Sequence, residues 1–375
     1  MNKGLRFDWW QMLVKEKAFF VLLFTVIISL LFHNFWAVEP LSYPILLLPI
    51  FIWLFLVMLW GAFAVVRQAG ALALALQEPL GSVILTLSVI AIEVMMITSV
   101  MLTGAENPTL ARDTLFAIIM IVLNGLVGVT LVLGAWRYKE QQVNLQGARA
   151  FLSVIVLMAV IGLVIPNYTH STSGPTLSPF LTIFLICISL CVYGVFLAIQ
   201  TIRHRKYFLE VTSQKMEVLR QHSEIQYPPA CHIILLILYL VLVIFLAKMI
   251  AVPIDYALNK LDAPDSLGGI LVAALILAPE GMAAIRASWF NQLQHSMNIL
   301  LGSVLATISL TIPAVLIVGL ILGKTIILGL DPMSMVLLFL TLFMSMITFS
   351  RKKTNVLQGV IHILIFVVYM ALIFD

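Results

Sequence analysis

The stretch SLGGILVAALILAPEGMAAI, Ser266–Ile285, decides how this chain is read. A dozen apolar residues lead into Pro279 and Glu280, at a depth where a lipid-facing helix holds leucine. A charge at the centre of a spanning helix costs about 2.5–3.5 kcal/mol on insertion scales, so such a residue faces the interior of a bundle. The pattern occurs once before. EPLGSVILTLSVIAIE, Glu78–Glu93, and DSLGGILVAALILAPE, Asp265–Glu280, both read acid-x-Leu-Gly, eleven residues, then Glu, at an offset of 187 residues in a chain of 375.

The background fits a membrane. Hydrophobic residues make up 62% of the chain and charged ones 10%, with a mean hydropathy of +1.12, whereas a soluble domain carries roughly 25% charged residues. The fold class is all-α and polytopic. With about 20 apolar residues needed per crossing, spans are expected near 18–37, 44–66, 80–103, 113–135, 149–165, 178–200, 231–253, 267–285, 297–322, 333–350 and 355–373. The first apolar run continues to Ala37 without a small-residue cleavage site, which predicts a retained span rather than a signal peptide. Cys187, Cys191 and Cys231 form no metal or disulfide pattern, and the net charge of +4 requires no nucleic acid.

Orientation follows from the basic residues. With the N-terminus in the cytoplasm, seventeen Lys and Arg fall on inner segments, while the outer loops hold only Arg112, Lys260 and Lys324. The C-terminus is then expected on the outer side of the membrane. The polar segment 201–229 has mixed charge and dispersed acids, and reads as a cytoplasmic linker. The chain thus divides into residues 1–40 (N-terminus and first span), 41–200 (spans two to six), the linker 201–229, and 230–375 (spans seven to eleven). The offset of 187 carries span two onto seven and four onto nine, while five lands close to ten and six overshoots eleven. Repeats five spans apart cross in opposite directions, which is the inverted-repeat plan of secondary transporters.

Of seventeen acidic residues, fifteen lie at span ends, in loops or at the termini. The other two are Glu93 and Glu280, the repeat-equivalent pair. No Lys or Arg sits at their depth, so each is expected to be protonated or paired with a cation, and both are candidate metal ligands. Neighbouring groups can add oxygen. Pro279 lacks an N–H and frees the carbonyl of Leu275; span four brings the amide of Asn124; span nine brings Ser303 and Thr307 on one face; Thr86 and Ser88 precede Glu93. A span Ser or Thr is also satisfied by bonding back to the preceding turn, which is the plain structural reading of each. A hard divalent cation wants six to eight oxygens, and a looser Na⁺ or K⁺ site fits the same set. His33, His232 and His362 have no acidic or thiol partner at ligand spacing. Asp113 reads as the N-cap of span four.

These segments, EPLGSVILTLSVIAIEV, RDTLFAIIMIV, APEGMAAI and LLGSVLATISLTIP, resemble the two repeats of the cation/calcium exchanger superfamily, in particular its bacterial calcium (sodium, potassium)/proton antiporter branch. The resemblance runs from about Ala71 through Phe374. It implies ten core helices in two inverted halves, an extra first helix, and exchange of cytoplasmic Ca²⁺, Na⁺ or K⁺ for external protons. It maps the repeat glutamates onto Glu93 and Glu280, the following amide onto Asn124, and a Gly-Ser pair onto Gly302 and Ser303. Many calcium/proton exchangers carry Gly-Asn-x-x-Glu in both repeats; here those positions read Val89-Ile90 and Ile276-Leu277. The expectation is an antiporter with no cofactor, whose partners are inorganic cations, protons and the bilayer, with no obligate protein partner implied. The alternative is an intramembrane enzyme whose paired glutamates activate water.

Overall fold

The computed structural model of the chain describes residues 16–31, 44–76, 80–103, 108–172, 174–204, 207–208, 228–260, 264 and 266–374. Within them eleven helices follow one another. They are α1 (Lys17–Leu31), α2 (Pro44–Leu76), α3 (Leu80–Thr103), α4 (Leu110–Tyr138), α5 (Leu145–Tyr168), α6 (Pro179–Arg203), α7 (Pro229–Lys260), α8 (Ser266–Trp289), α9 (Leu293–Leu322), α10 (Pro332–Thr348) and α11 (Val356–Leu372). Seven helices, α2 and α4 to α9, are long and apolar enough to cross a membrane; α1, α10, α11 and the Thr86–Thr98 part of α3 are shorter apolar helices. Each helix falls on an expected span. The His33 end of the first span and most of the 201–229 segment lie outside the described residues.

Local chemistry sets the helix ends. α10 starts at Pro332 behind Asp331, whose carboxylate accepts from the Ser334 N–H at 2.9 Å; α6 starts at Pro179 behind Ser178. Asn355 and Gln358 form a capping box on α11. α9 ends at Gly323, whose φ of 65° suits glycine. At α4 the expectation needs correcting. The helix begins at Leu110 with Thr109 as N-cap, and Asp113 lies in the first turn, accepting from Thr109 Oγ1 at 3.0 Å and pairing with Arg112 at 2.8 Å. The carboxylate is occupied by these two partners rather than by backbone N–H groups.

Of the seven long helices, α4 and α9 are the most enclosed and α6 presents the most surface outward. Without a hydrophobic force between helices in lipid, close approach depends on small residues. α4 crosses α11 where Gly128 meets Gly359: a Cβ on either would come within 2.9 Å of the other's carbonyl oxygen. At one end of the bundle, β1 (Gln141–Gln142) pairs antiparallel with β2 (Lys353–Thr354), and Glu140 pairs with Lys353 at 2.8 Å. Gln141 Nε2 donates to the Ser288 carbonyl at 2.9 Å, and the Asn144 N–H donates to Gln294 at 2.6 Å. The ends of α4, α5, α8, α9, α10 and α11 are thereby tied on that side. At the opposite end Asn167 donates to the Leu330 carbonyl at 2.8 Å, and the Ile327 N–H to that of Pro108 at 3.0 Å.

Two widened turns matter for the site. α4 is π-helical over Ile121–Leu126 and α9 over Thr307–Thr311. The 187-residue offset carries 121–126 onto 308–313, overlapping the second widened turn, and brings Asn124 onto Thr311. Such bulges are frequent at functional sites because they re-aim side chains without ending the helix.

Candidate functional site

α3 delivers Glu93, α8 delivers Glu280, and one face of α9 receives both. The Ser303 hydroxyl donates to Glu280 Oε2, and the Thr307 hydroxyl donates to Glu93 Oε2 at 2.9 Å. Ser303 and Thr307 are four residues apart, so consecutive turns of α9 each hold one carboxylate. Glu93 is 1% exposed, whereas Glu280 is half-buried.

A cavity of about 480 Å³ reaches Glu280 from the end of the bundle that carries the 201–229 segment. Its walls include Val66, Thr86, Tyr193, Gln200, His295 and Asn298, and near its base lie Pro279, Glu280, Ser303 and Thr307. Among the described residues no lysine or arginine lines it. α8 runs unbroken through Pro279, which stands at the wall where its missing N–H meets a cavity rather than lipid.

The acids are not fully satisfied by protein. Glu93 Oε1 is buried without a hydrogen-bond partner, as are Thr311 Oγ1 and Ser309 Oγ. Thr311 faces Glu93, one turn beyond Thr307, at a geometry that leaves its hydroxyl unbonded. An orphaned carboxylate oxygen at this depth calls for a proton or a cation. Among the described residues no three His, Cys, Asp or Glu side chains cluster as a metal site. A cation held here would complete its shell from hydroxyls, carbonyls and water.

The remaining candidates are distributed unevenly. Thr86 lines the cavity beside Tyr193. Ser88 is buried and bonds back to the Ile84 carbonyl at 2.7 Å, the plain structural reading. Leu275 is buried and does not line the cavity. The Asn124 side chain turns to α10 and α11: its amide nitrogen donates to Thr341 at 2.8 Å, and its oxygen meets His362 Nδ1 at 3.2 Å, with Thr348 on the other ring nitrogen at 2.9 Å. Because the Asn124 nitrogen is donating, its oxygen accepts, so His362 carries its proton on Nδ1. Thr311, Tyr193 and His295 were not singled out in the sequence. For Thr311 the signal was there: it lies one turn past Thr307 and is the offset partner of Asn124.

Comparison with known proteins gives a family. Residues 46–202 and 231–374 match the family described as sodium/calcium exchanger protein. The chain is 40% identical over 326 residues to a putative ionic transporter, y4hA, of Sinorhizobium fredii, covering 84% of this chain and 86% of that protein. It is also 40% identical over 316 residues to the sodium-potassium/proton antiporter ChaA of Escherichia coli, with the same coverage. The fold of native YfkE superposes with a TM-score of 0.70 at 17% identity, covering 95% of this chain and 99% of that one. The chain belongs to the sodium/calcium exchanger family and is a multi-pass membrane transporter of cations, not an enzyme.

Proposed function

We propose that this protein exchanges a cation, Ca²⁺, Na⁺ or K⁺, for protons across the bacterial inner membrane by alternating access, with Glu93 and Glu280 binding cation and proton in turn. The observation that carries the reading is the pair of offset-equivalent glutamates, each bonded to a hydroxyl of α9, with Glu280 lining the cavity and a buried oxygen of Glu93 behind it left for the transported species. Supporting it is the 40% identity to a sodium-potassium/proton antiporter, which favours a monovalent cation within the three. The positions Val89-Ile90 and Ile276-Leu277, which supply no amide to a divalent shell, point the same way.

The eleven helices fit two inverted five-helix halves, α2 to α6 and α7 to α11, preceded by α1. The excess of basic residues supports a cytoplasmic 201–229 side, and on that reading the cavity is the cytoplasmic access path. A cation entering it displaces protons from the glutamates, and a carrier that crosses only when loaded then becomes an exchanger. The test is a flux assay in everted vesicles. Added Na⁺, K⁺ or Ca²⁺ should dissipate a preformed pH gradient, and Glu93→Gln and Glu280→Gln should each abolish that response in folded protein. Silence of the wild type with all three ions would overturn the proposal.

A further inference from the structure

A second buried carboxylate lies away from the cavity. Glu16, immediately before α1, is 6% exposed, and both of its oxygens are engaged. Oε2 accepts from the Arg67 guanidinium and from the Tyr239 hydroxyl at 2.7 Å; Oε1 accepts from the Gln68 amide at 2.9 Å. Because the Gln68 nitrogen donates to Glu16, its oxygen accepts, and it does so from His232 Nδ1 at 2.7 Å. Phe19 closes edge-on against the Tyr239 ring at 5.9 Å. One carboxylate therefore joins the start of α1 to α2 (Arg67, Gln68) and to α7 (His232, Tyr239). Deeper in the bundle the same three helices meet at Gly61, where a Cβ would fall 2.7 Å from Leu22 of α1 and 2.9 Å from Val243 of α7.

The turn of α2 that carries Arg67 and Gln68 also carries Val66, which lines the cavity. A rearrangement that closes the cavity at Val66 must move this turn. Shifts of about 1 Å take bonds of this length beyond hydrogen-bonding range, so the Glu16 cluster is complete only while the turn stays in place. More than half of the Arg67 guanidinium side chain is exposed, so this partner can return to water when the cluster opens. Glu16 itself cannot be left bare, because a buried charge that loses its partners is strongly disfavoured.

We propose that Glu16 is a positioning residue: it latches α1 and α7 onto the mouth-forming turn of α2 and so raises the population of the cavity-open conformation. The inference rests on the alternating-access reading given above. It is tested by sided accessibility rather than by ion flux. With Cys187, Cys191 and Cys231 replaced by alanine, a cysteine at cavity-lining Ala283 is labelled with a membrane-impermeant maleimide in everted vesicles. Tyr239→Phe, which keeps the ring against Phe19 and removes one donor, should slow labelling roughly twofold or more, and Glu16→Gln should slow it further, as a shift in a two-state population requires. Wild-type or faster labelling in folded Tyr239→Phe protein would overturn the latch, and that variant decides the matter if Glu16→Gln does not fold. Because labelling reads the cavity directly, a failed latch and a failed exchange activity give separate results.

Discussion

At the scale of single residues, the site turns on which oxygen reaches which acid. A hydrogen bond to a charged group contributes about 1.5–3 kcal/mol, so Ser303→Ala and Thr307→Ala should each raise the apparent Km for the cation about 10- to 100-fold in vesicle flux, with the fold intact. Asn124→Ala acts differently. It leaves His362 Nδ1 without its acceptor and Thr341 without its amide donor in the interior, and should cost about 1–3 kcal/mol of stability, read as a lower Tm in detergent. The sequence made the acids legible because a carboxylate at midplane depth is too costly to be incidental, and helical spacing put Ser303 and Thr307 on one face. It did not show where Asn124 points, since depth along a helix is written in the sequence but direction around it is not. The partners of Glu16 lie 51, 52 and 223 residues away, and no local pattern announces pairings at such distances.

At the scale of helices, proline and glycine positions were readable but their consequences were not. Pro279 leaves α8 continuous, and Pro313 follows the widened turn Thr307–Thr311, which absorbs its missing donor and changes the face presented beyond Thr307. Two glycines give opposite expectations. Gly128→Val drives a side chain into the Gly359 backbone and should destabilise by about 1–3 kcal/mol, as overpacking does. Gly70 has nothing within 4 Å of its would-be Cβ, so Gly70→Ala should stabilise α2 by about 0.5–1 kcal/mol through helix propensity. Thermal unfolding of the two variants side by side checks both signs.

For the whole molecule, the asymmetry of basic residues fixes the expected sidedness. A cysteine placed in 201–229 should be labelled from the cytoplasmic side alone, and one at Lys324 from outside alone; the reverse result would invert the access path. Coupling gives a second global expectation. If one proton leaves for each cation bound, apparent Km should fall about tenfold per pH unit while the site is protonated, then level off. A Km that stays flat from about pH 6 to pH 9, the range in which competing protons should register, would separate the two ligands and remove Glu93 and Glu280 from shared duty. Helix positions were legible from hydropathy, since each described helix falls on an apolar stretch expected to be helical, and seven of them are long enough to cross a membrane. How the helices grip one another was not.

The partners of Asn124 also have a consequence for biosynthesis. Thr341 and His362 are made 217 and 238 residues after the amide they hold. At about 5–20 residues per second of translation, α4 waits about 10–50 s in the bilayer before α10 and α11 emerge. During that interval its amide has no lasting partner from those helices, so the nascent first half is the stage at which quality control has the longest opportunity to act. Slowing translation should lower the yield of the wild-type chain more than that of an Asn124→Leu chain, whose side chain waits in lipid at no cost.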